Sequence, residues 1–275
     1  MTGELKLMLG RVLSSFGGLL SAVSALAAPV LLEAPNISAV PANQLVVAGN
    51  ACGPAALLNA FRCGNTDWQR AGNALAGAND RERLLRIIRE IGMRPSRHVS
   101  GHPRWSRRGV GLADLCDMAN EMIVGQFLPQ LSEEAFFLKR GESPEALVRR
   151  VYQRFDTSMV KGLPPVLSVR RYALRRAAGQ DAAHWVVIDA HFVTLTVLPR
   201  RLEKHAFSFP VSYIDPWGAR RCQGSLGIPG EPVFPDAAGF SSCLEADFPE
   251  AAVGRKRVGR GERTVLLLAA AIGRW

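Results

Sequence analysis

The sequence has few of the residues that build metal centres, and its cysteines do not follow the pattern of one. Its 275 residues include five histidines and five cysteines, with no Cys-x-x-Cys pair and no histidine at a zinc-binding spacing from a cysteine. Zinc sites are typically built from such closely spaced ligands. No internal repeat and no low-complexity linker is present either. We therefore expect neither a metal nor a cofactor.

Acidic residues are in the minority. The formal net charge is +10, from 34 Lys+Arg against 24 Asp+Glu. Such an excess occurs in proteins that bind nucleic acid or anionic polymers. Here the basic residues are scattered, and the two denser stretches, 94–108 and 255–263, contain no aromatic residue apart from Trp105. We therefore expect a solvated basic surface and no specific nucleic-acid partner.

The N-terminal residues differ in composition from the rest of the chain. After a positively charged start, Val12 to Ala27 is apolar and rich in small residues, and Ala25-Leu26-Ala27 matches the A-x-A pattern of a signal-peptide cleavage site. The run is short for a membrane span, although an uncleaved anchor is the alternative. We predict an exported protein, periplasmic or extracellular, with no stable membrane anchor after cleavage. The predicted units are a signal peptide at 1–27, an extended lead-in at 28–48 and a single domain at 49–275.

The cysteine count is odd, which leaves at least one thiol without an intramolecular partner. Cys52 and Cys63 are eleven residues apart on one predicted helix. That is about 16 Å along the helix axis, beyond the reach of a disulfide. Cys222 and Cys243 lie in a segment with few structural signals, and whether they pair is left open. A leftover thiol in an exported protein is consistent with a reactive cysteine.

The period of the apolar residues changes halfway along the chain. Before Pro164 the patterns predict helices, at 67–76, 80–91, 112–124 and 146–155. After Pro165 they predict strands, at 166–172, 185–198, 207–214 and 263–272, with an irregular segment at 218–261. This order indicates an α+β fold in which an N-terminal helical half packs against a C-terminal antiparallel sheet.

The segment Asn50 to Gly64, NACGPAALLNAFRCG, combines a cysteine with the start of a buried helix. Pro54 suits a first helical turn because it lacks the N–H that would go unpaired there. The apolar residues that follow predict a helix buried on most sides. Cys52 then lies at the positive end of the helix dipole, which favours the nucleophilic thiolate. A free cysteine is often only a small buried residue, so a catalytic role needs partners elsewhere in the chain.

Two histidines and one aspartate are the candidate partners of Cys52. His184 and His191 both lie on the longest predicted strand, whereas the other three histidines lie in predicted loops or turns. They are seven residues apart, so on a regular strand they face opposite sides and only one can face Cys52. Asp215 ends the next predicted strand, before a proline, where a carboxylate can orient an imidazole. We expect these groups to meet in a cleft between the helical half and the sheet.

Taken in order, CGPAAL at Cys52, HFVTL at His191 and IDPWG at Asp215 resemble motifs of the papain-fold cysteine peptidases. The branch most similar contains the bacteriocin-leader-processing, or double-glycine, peptidases, and the resemblance covers about residues 40 to 220. It implies a papain-like fold with Cys52 as nucleophile, His191 as base and Asp215 as the group that orients the base. His184 is the alternative base.

The resemblance also implies a glutamine before the cysteine that helps to stabilise the oxyanion. Gln44 stands eight residues before Cys52, whereas the family glutamine stands about six before. Asn43 and Asn50 are therefore alternatives to Gln44 as the side-chain donor.

This set of residues implies an exported cysteine peptidase or amide hydrolase that acts on a peptide or amide through a thioester acyl-enzyme. A transglutaminase-like acyl transferase would use the same residues. A non-catalytic exported binding protein that retains the fold is a further alternative.

Overall fold

The computed structural model describes residues 30–176, 183–231, 233, 243–251, 253–254 and 257–275. The predicted signal peptide at 1–27 lies outside the described residues. Most of the predicted lead-in, 28–48, is described, and it contains a short strand followed by a turn of 3₁₀ helix at Gln44–Val46.

Helices occupy the first half of the described chain. Their bounds are Cys52–Cys63 (α1), Thr66–Asn73 (α2), Asp80–Arg86 (α3), Leu112–Met122 (α4) and Pro144–Val160 (α5). A turn of π helix, Ile87–Gly92, continues α3. Asn or Ser side chains cap the first turns of α2, α3 and α5 by accepting backbone N–H bonds. Within the described ranges, no helix is both long and apolar enough to cross a membrane.

The strands fall mainly in the second half. Their bounds are Leu31–Glu33 (β1), Trp105–Ser106 (β2), Gly109–Val110 (β3), Ser132–Ala135 (β4), Val166–Arg175 (β5), His184–Pro199 (β6), Ser208–Asp215 (β7), Arg220–Gly227 (β8), Leu244–Asp247 (β9) and Thr264–Gly273 (β10). β2 and β3 form a separate hairpin.

The main sheet closes on itself. The strand order is β6-β5-β10-β9-β8-β7, and β7 pairs again with β6, so six antiparallel strands form a closed barrel. β1 adds to β6, and β4 adds to β10. The prediction of a papain-like α+β fold, with a helical half against a C-terminal antiparallel sheet, is therefore wrong. Most of the helices do precede the barrel strands, but the sheet that they precede is a closed barrel.

Two strands that the sequence analysis missed close the barrel. β8 and β9 both lie in the segment predicted to be irregular, 218–261. β8, with the sequence RRCQGSLG, contains two arginines and two glycines and lacks the alternation of apolar residues that marks a strand. β9 has only four residues, LEAD. Their neighbours β7 and β10 supply the pairing partners, which single-sequence patterns do not reveal.

The buried residues form two large clusters. One joins the barrel strands to α5 and includes Phe155, Val193 and Tyr213. The other surrounds α1 and includes Leu57 and Phe192. Alternate residues of β6 thus contribute to different clusters, as expected for a strand buried on both faces. All but one residue of α1 is buried, which fixes this helix against the barrel wall.

A buried hydrogen bond attaches α1 to the barrel. The Thr194 hydroxyl, in β6, donates to the carbonyl oxygen of Ala56, in the first turns of α1, at 2.8 Å. Both residues are fully buried. A buried polar bond of this kind has a fixed geometry and is costly to leave unpaired. It sets the position of the start of α1 relative to β6.

We predict that Gly224 is required for closure of the barrel. A Cβ at this position in β8 would collide with the Asp247 carbonyl oxygen and the Phe248 ring. Gly224→Ala should lower the free energy of unfolding by about 1–3 kcal/mol through overpacking, as measured by urea denaturation. Gly230→Ala is the matched control, because a Cβ there meets no atom within 4 Å. Equal stabilities of the two variants would contradict the prediction.

Candidate active site

Cys52 is the first residue of α1, where the sequence analysis predicts it. Its backbone N–H points toward the Asn50 side chain, which accepts it through Oδ1 at 3.5 Å. The side chain is 3% exposed. Gly53, the next residue, allows close packing because a Cβ there would collide with Val110 and Leu115. The start of α1 is thus held tightly, with the thiol in the first turn of the helix.

His191 and Asp215 form a buried hydrogen-bonded pair. The His191 Nε2 lies 2.8 Å from Asp215 Oδ1. His191 is 8% exposed and Asp215 is fully buried. Asp215 is the last residue of β7, and Pro216 follows it, so the strand cannot continue its ladder there. The Trp217 backbone N–H also donates to Asp215 Oδ1, at 2.8 Å.

The thiol of Cys52 lies close enough to the imidazole of His191 to raise the pKa of that imidazole. Because Nε2 contacts Asp215, the other ring nitrogen, Nδ1, is the one left for Cys52. The structure therefore brings together the three residues that the sequence analysis selected, in the order Cys52, His191, Asp215. This is the arrangement of a nucleophile, a base and a group that orients the base.

The electrostatics of the three groups favour a protonated imidazole. Burial lowers the pKa of His191, but the hydrogen bonds to Asp215 and Cys52 outweigh it and raise the pKa to about 10. Burial acts against ionisation of Asp215, yet the bonds from His191, Trp217 and Arg220 hold its pKa below the ordinary value. An imidazolium beside the thiol is the form that stabilises a thiolate.

His184, the alternative base, is not part of this arrangement. It is the first residue of β6, pairs with Arg175, and is exposed. It lies roughly 23 Å along the strand from His191 at ordinary strand rise. The ladder between β5 and β6 shifts register near Ile188, so the assumption of a regular strand between the two histidines fails. Distance and exposure, and not strand parity, separate His184 from Cys52.

A cleft of about 530 Å³ opens beside the imidazole. Its walls come from the loop before α1, from β6 and from the segments after β7 and β9, and they include Gln44, Asn50, Asp189, His191, Trp217 and Gly254. His191 and Asn50, which interact with Cys52, line this cleft. A ligand in the cleft would therefore lie against the immediate surroundings of the thiol.

Gln44 lies in the wall of the cleft. Its backbone N–H donates to the Pro216 carbonyl oxygen at 2.9 Å, which fixes it beside the segment that follows Asp215. The residue is 3% exposed, and its Oε1 has no hydrogen-bond partner among the described residues. A buried amide with unused capacity is unusual in a folded protein. Here it places an amide group in the wall of the cleft that His191 also lines.

The two alternatives to Gln44 differ in their surroundings. Asn50 lines the cleft, but its Oδ1 accepts the N–H of Cys52 and its Nδ2 donates to the Arg108 carbonyl at 3.5 Å. Asn43 caps the 3₁₀ turn, where its Oδ1 accepts from Leu45 and Gly218. Asn43 is thus engaged in holding the loop, and Gln44 is the side-chain amide best placed to serve a ligand.

Two further residues that the sequence analysis did not select support this site. Asn59, on α1, is fully buried and exchanges two hydrogen bonds with the backbone of Ala42, so it anchors the chain just before Gln44. Arg220, the first residue of β8, donates to Asp215 Oδ2 at 2.9 Å. Asn59 could have been identified from the sequence, because it is a polar residue within the apolar run that predicts α1. No comparable sequence signal marks Arg220.

The other four cysteines are free and buried. Cys222 and Cys243 are not bridged, and they belong to different core clusters. Burial raises the pKa of Cys63 and Cys222 to about 11. It raises the pKa of Cys116 and Cys243 to about 12. These thiols are neutral near pH 7 and lack the imidazole that Cys52 has.

Within the described ranges, no cluster of three or more His, Cys, Asp or Glu side chains is arranged to hold a metal ion. Comparisons with models of known protein families, with curated proteins and with solved structures give no match. The function is therefore inferred from the geometry of the site.

We predict that the His191–Asp215 pair makes stability depend on pH. The pKa of His191 is raised in the folded state, from an ordinary 6.5 to about 10. Its contribution to stability is therefore complete below about pH 6.5 and is lost as the pH rises toward 10. The free energy of unfolding, measured in urea from pH 6 to 10, should fall over this range. The pKa of Asp215 is lowered in the folded state, so its contribution to stability is present at neutral pH and is lost as the pH falls through the acidic range.

Asp215→Asn should flatten this dependence, because it removes the carboxylate that stabilises the imidazolium. His184→Gln serves as the control, since His184 is exposed, and its profile should match that of the unaltered protein. A slope unchanged by Asp215→Asn would show that the pair does not set the protonation of His191.

Proposed function

We propose that this protein is a cysteine-dependent hydrolase of peptide or amide bonds. Cys52 is the nucleophile, His191 the general acid and base, and Asp215 the residue that orients His191. The observation that carries the proposal is the buried His191–Asp215 hydrogen bond beside a cleft, with the Cys52 thiol close enough to raise the pKa of His191.

A purely structural role accounts poorly for these three residues. A carboxylate and an imidazole that are buried together cost desolvation free energy, and apolar residues of similar volume are often at least as stable in such places. The pair also adjoins a thiol at a helix start and a buried amide with an unpaired oxygen. Groups whose protonation is strongly perturbed, and which line a cleft, are typical of functional sites.

The first half-reaction is acylation. The Cys52 thiolate attacks the substrate carbonyl carbon and forms a carbon–sulfur bond, which places negative charge on the carbonyl oxygen. The imidazolium at His191 then gives its Nδ1 proton to the leaving amine as the carbon–nitrogen bond breaks. Asp215 keeps Nε2 protonated throughout, so that only Nδ1 exchanges a proton with the reactants.

The oxyanion needs hydrogen-bond donors fixed before the reaction begins. The backbone N–H of Cys52 is one candidate, since its contact to Asn50 is long, 3.5 Å. The amide Nε2 of Gln44 is the other. The bond from the Gln44 backbone N–H to the Pro216 carbonyl holds Gln44 against the segment that follows Asp215.

The second half-reaction is deacylation. Neutral His191 takes a proton from water, the hydroxide attacks the thioester, and the carbon–sulfur bond breaks to return the thiolate. An amine in place of water would give acyl transfer with the same residues. The order of the three motifs resembles that of the leader-processing cysteine peptidases, which favours a peptide as substrate, although the closed barrel is not the fold that this resemblance implies.

We predict selective alkylation of Cys52. Iodoacetamide at pH 6.5 should modify Cys52 much faster than the other four thiols, because thiolates react and thiols do not. Peptide mass spectrometry locates the label. Cys52→Ala should remove the rapid phase and lower hydrolysis of a fluorogenic peptide library by about 10³-fold or more.

The matched controls are Cys63→Ala, at the other end of α1, and His184→Gln. Both should retain the rapid phase and the hydrolysis. His191→Gln should abolish the rapid phase. If Cys52 in the unaltered protein reacts no faster than the buried thiols, the proposed function is refuted. Formation of hydroxamate on addition of hydroxylamine, with little hydrolysis, would identify an acyl transferase.

We predict that Gln44 contributes to the transition state. Gln44→Ala should lower kcat by about 10²–10³-fold, the usual effect of losing one oxyanion donor. It should leave the alkylation rate of Cys52 nearly unchanged, because iodoacetamide forms no oxyanion. Gln69→Ala is the control, since Gln69, on α2, donates to the Gly64 carbonyl and does not line the cleft. A matching loss in alkylation rate would instead indicate a distorted site.

A further inference from the structure

Asp215 has a second partner on the oxygen that does not face His191. Oδ1 accepts from His191 and from the Trp217 N–H. Oδ2 accepts from one Nη of Arg220 at 2.9 Å. The carboxylate is fully buried. Arg220 gives its second oxygen a hydrogen-bond donor, and it places a second positive charge, besides that of His191, next to the carboxylate.

The guanidinium of Arg220 is itself held by the backbone around the site. Its Nε donates to the Trp217 carbonyl at 3.1 Å, and the same Nη that binds Asp215 donates to the Glu250 carbonyl at 3.0 Å. The side chain is 40% exposed, so it enters from the surface and spans the turn after β7. A planar guanidinium with several fixed acceptors has little rotational freedom.

From this geometry we infer that Arg220 is a positioning residue. It holds Asp215 with Oδ2 turned away from the imidazole and Oδ1 toward Nε2 of His191, and it keeps the carboxylate ionised. This inference rests on the proposed function, in which Asp215 orients His191. It goes beyond that function because it adds a fourth residue, from β8, to the series that ends at Cys52.

The groups that face Asp215 allow a pH test. His191 on β6 and Arg220 on β8 are its charged neighbours, and Cys52 on α1 is reached through His191. Tyr213 on β7 and Cys222 on β8 also lie near it. Burial raises the pKa of Cys222 to about 11 and that of Tyr213 well above its ordinary value, so neither group ionises below pH 9.

Substitution of Arg220 should change how the reactivity of Cys52 depends on pH, and the change should appear at acidic pH. Without it, Oδ2 is a buried oxygen with no side-chain donor, and Asp215 takes up a proton at higher pH. A neutral Asp215 no longer stabilises the imidazolium, so Cys52 loses its positively charged neighbour and its alkylation at acidic pH slows. The loss of a nearby positive charge acts in the same direction.

The experiment measures the rate of Cys52 alkylation by iodoacetamide from pH 3 to 9, using the full chain and mass spectrometry. Arg220→Gln should move the acid midpoint up by about one pH unit, the ten-fold effect of a charge-assisted hydrogen bond. Arg220→Lys keeps the charge but cannot make all the contacts of the guanidinium, so it should show a smaller but measurable shift in the same direction. Arg221→Gln, the adjacent arginine that bonds the Ala39 carbonyl, should leave the midpoint unchanged.

A folded Arg220→Gln variant with an unaltered midpoint would overturn the inference while leaving the proposed function intact. So would an equal shift in Arg221→Gln, which would indicate general surface charge. Should Arg220→Gln not fold, Arg220→Lys decides, because its single amine cannot make all the contacts of the guanidinium and an unshifted midpoint would count against the inference.

The NMR signal of the His191 Nε2 proton provides a readout that does not depend on thiol reactivity. In the unaltered protein a hydrogen bond to Asp215 should place this proton far downfield, and Arg220→Gln should shift or broaden it. If Cys52 is unreactive in the unaltered protein, the proposed function fails. The effect of Arg220→Gln on this proton then still decides whether Arg220 positions Asp215.

Discussion

The buried bond between His191 and Asp215 is the interaction on which the site depends. It removes two ionisable groups from water, and it is tolerable only because each has further partners. Asp215 accepts hydrogen bonds from His191, Trp217 and Arg220. His191 contacts Asp215 through one ring nitrogen, and the other is left for Cys52. The bond occupies Nε2 of His191 and leaves Nδ1 as the ring nitrogen available to the thiol.

The barrel gives this bond its rigidity. β6 carries His191 and β7 carries Asp215, and the pairing between β6 and β7 that closes the barrel, which reaches Thr194 and Ile214, brings the two side chains within hydrogen-bond distance. β8, paired to β7 over its whole length, adds Arg220 opposite Asp215. On the other side, the bond from Thr194 to Ala56 fixes α1 and its cysteine to the same strand. Sites held by strands and helices are more precise than sites held by loops.

Much of the local structure could be predicted from the sequence. The start of α1 at Cys52, the long strands β5, β6 and β10, and the helix α5 with its Ser143 cap all follow from patterns within short windows. The closure of the barrel could not be predicted, because the sequences of β8 and β9 have weak strand patterns. These segments form strands because they pair with neighbouring strands. The fold class was wrong for this reason, and Arg220 was missed because it lies in this segment.

The sequence by itself determined which groups are available to the chemistry: one cysteine at a helix start, two histidines on a strand, one aspartate before a proline. The choice of His191 over His184 rested on the resemblance; in the tertiary structure His191 is buried beside Asp215, whereas His184 is exposed. Only the tertiary structure decided the position of Gln44, which depends on Asn59 and Pro216 across long separations in the chain. Local patterns report what each segment forms, whereas the meeting of distant side chains depends on packing between segments, which no single window of sequence contains.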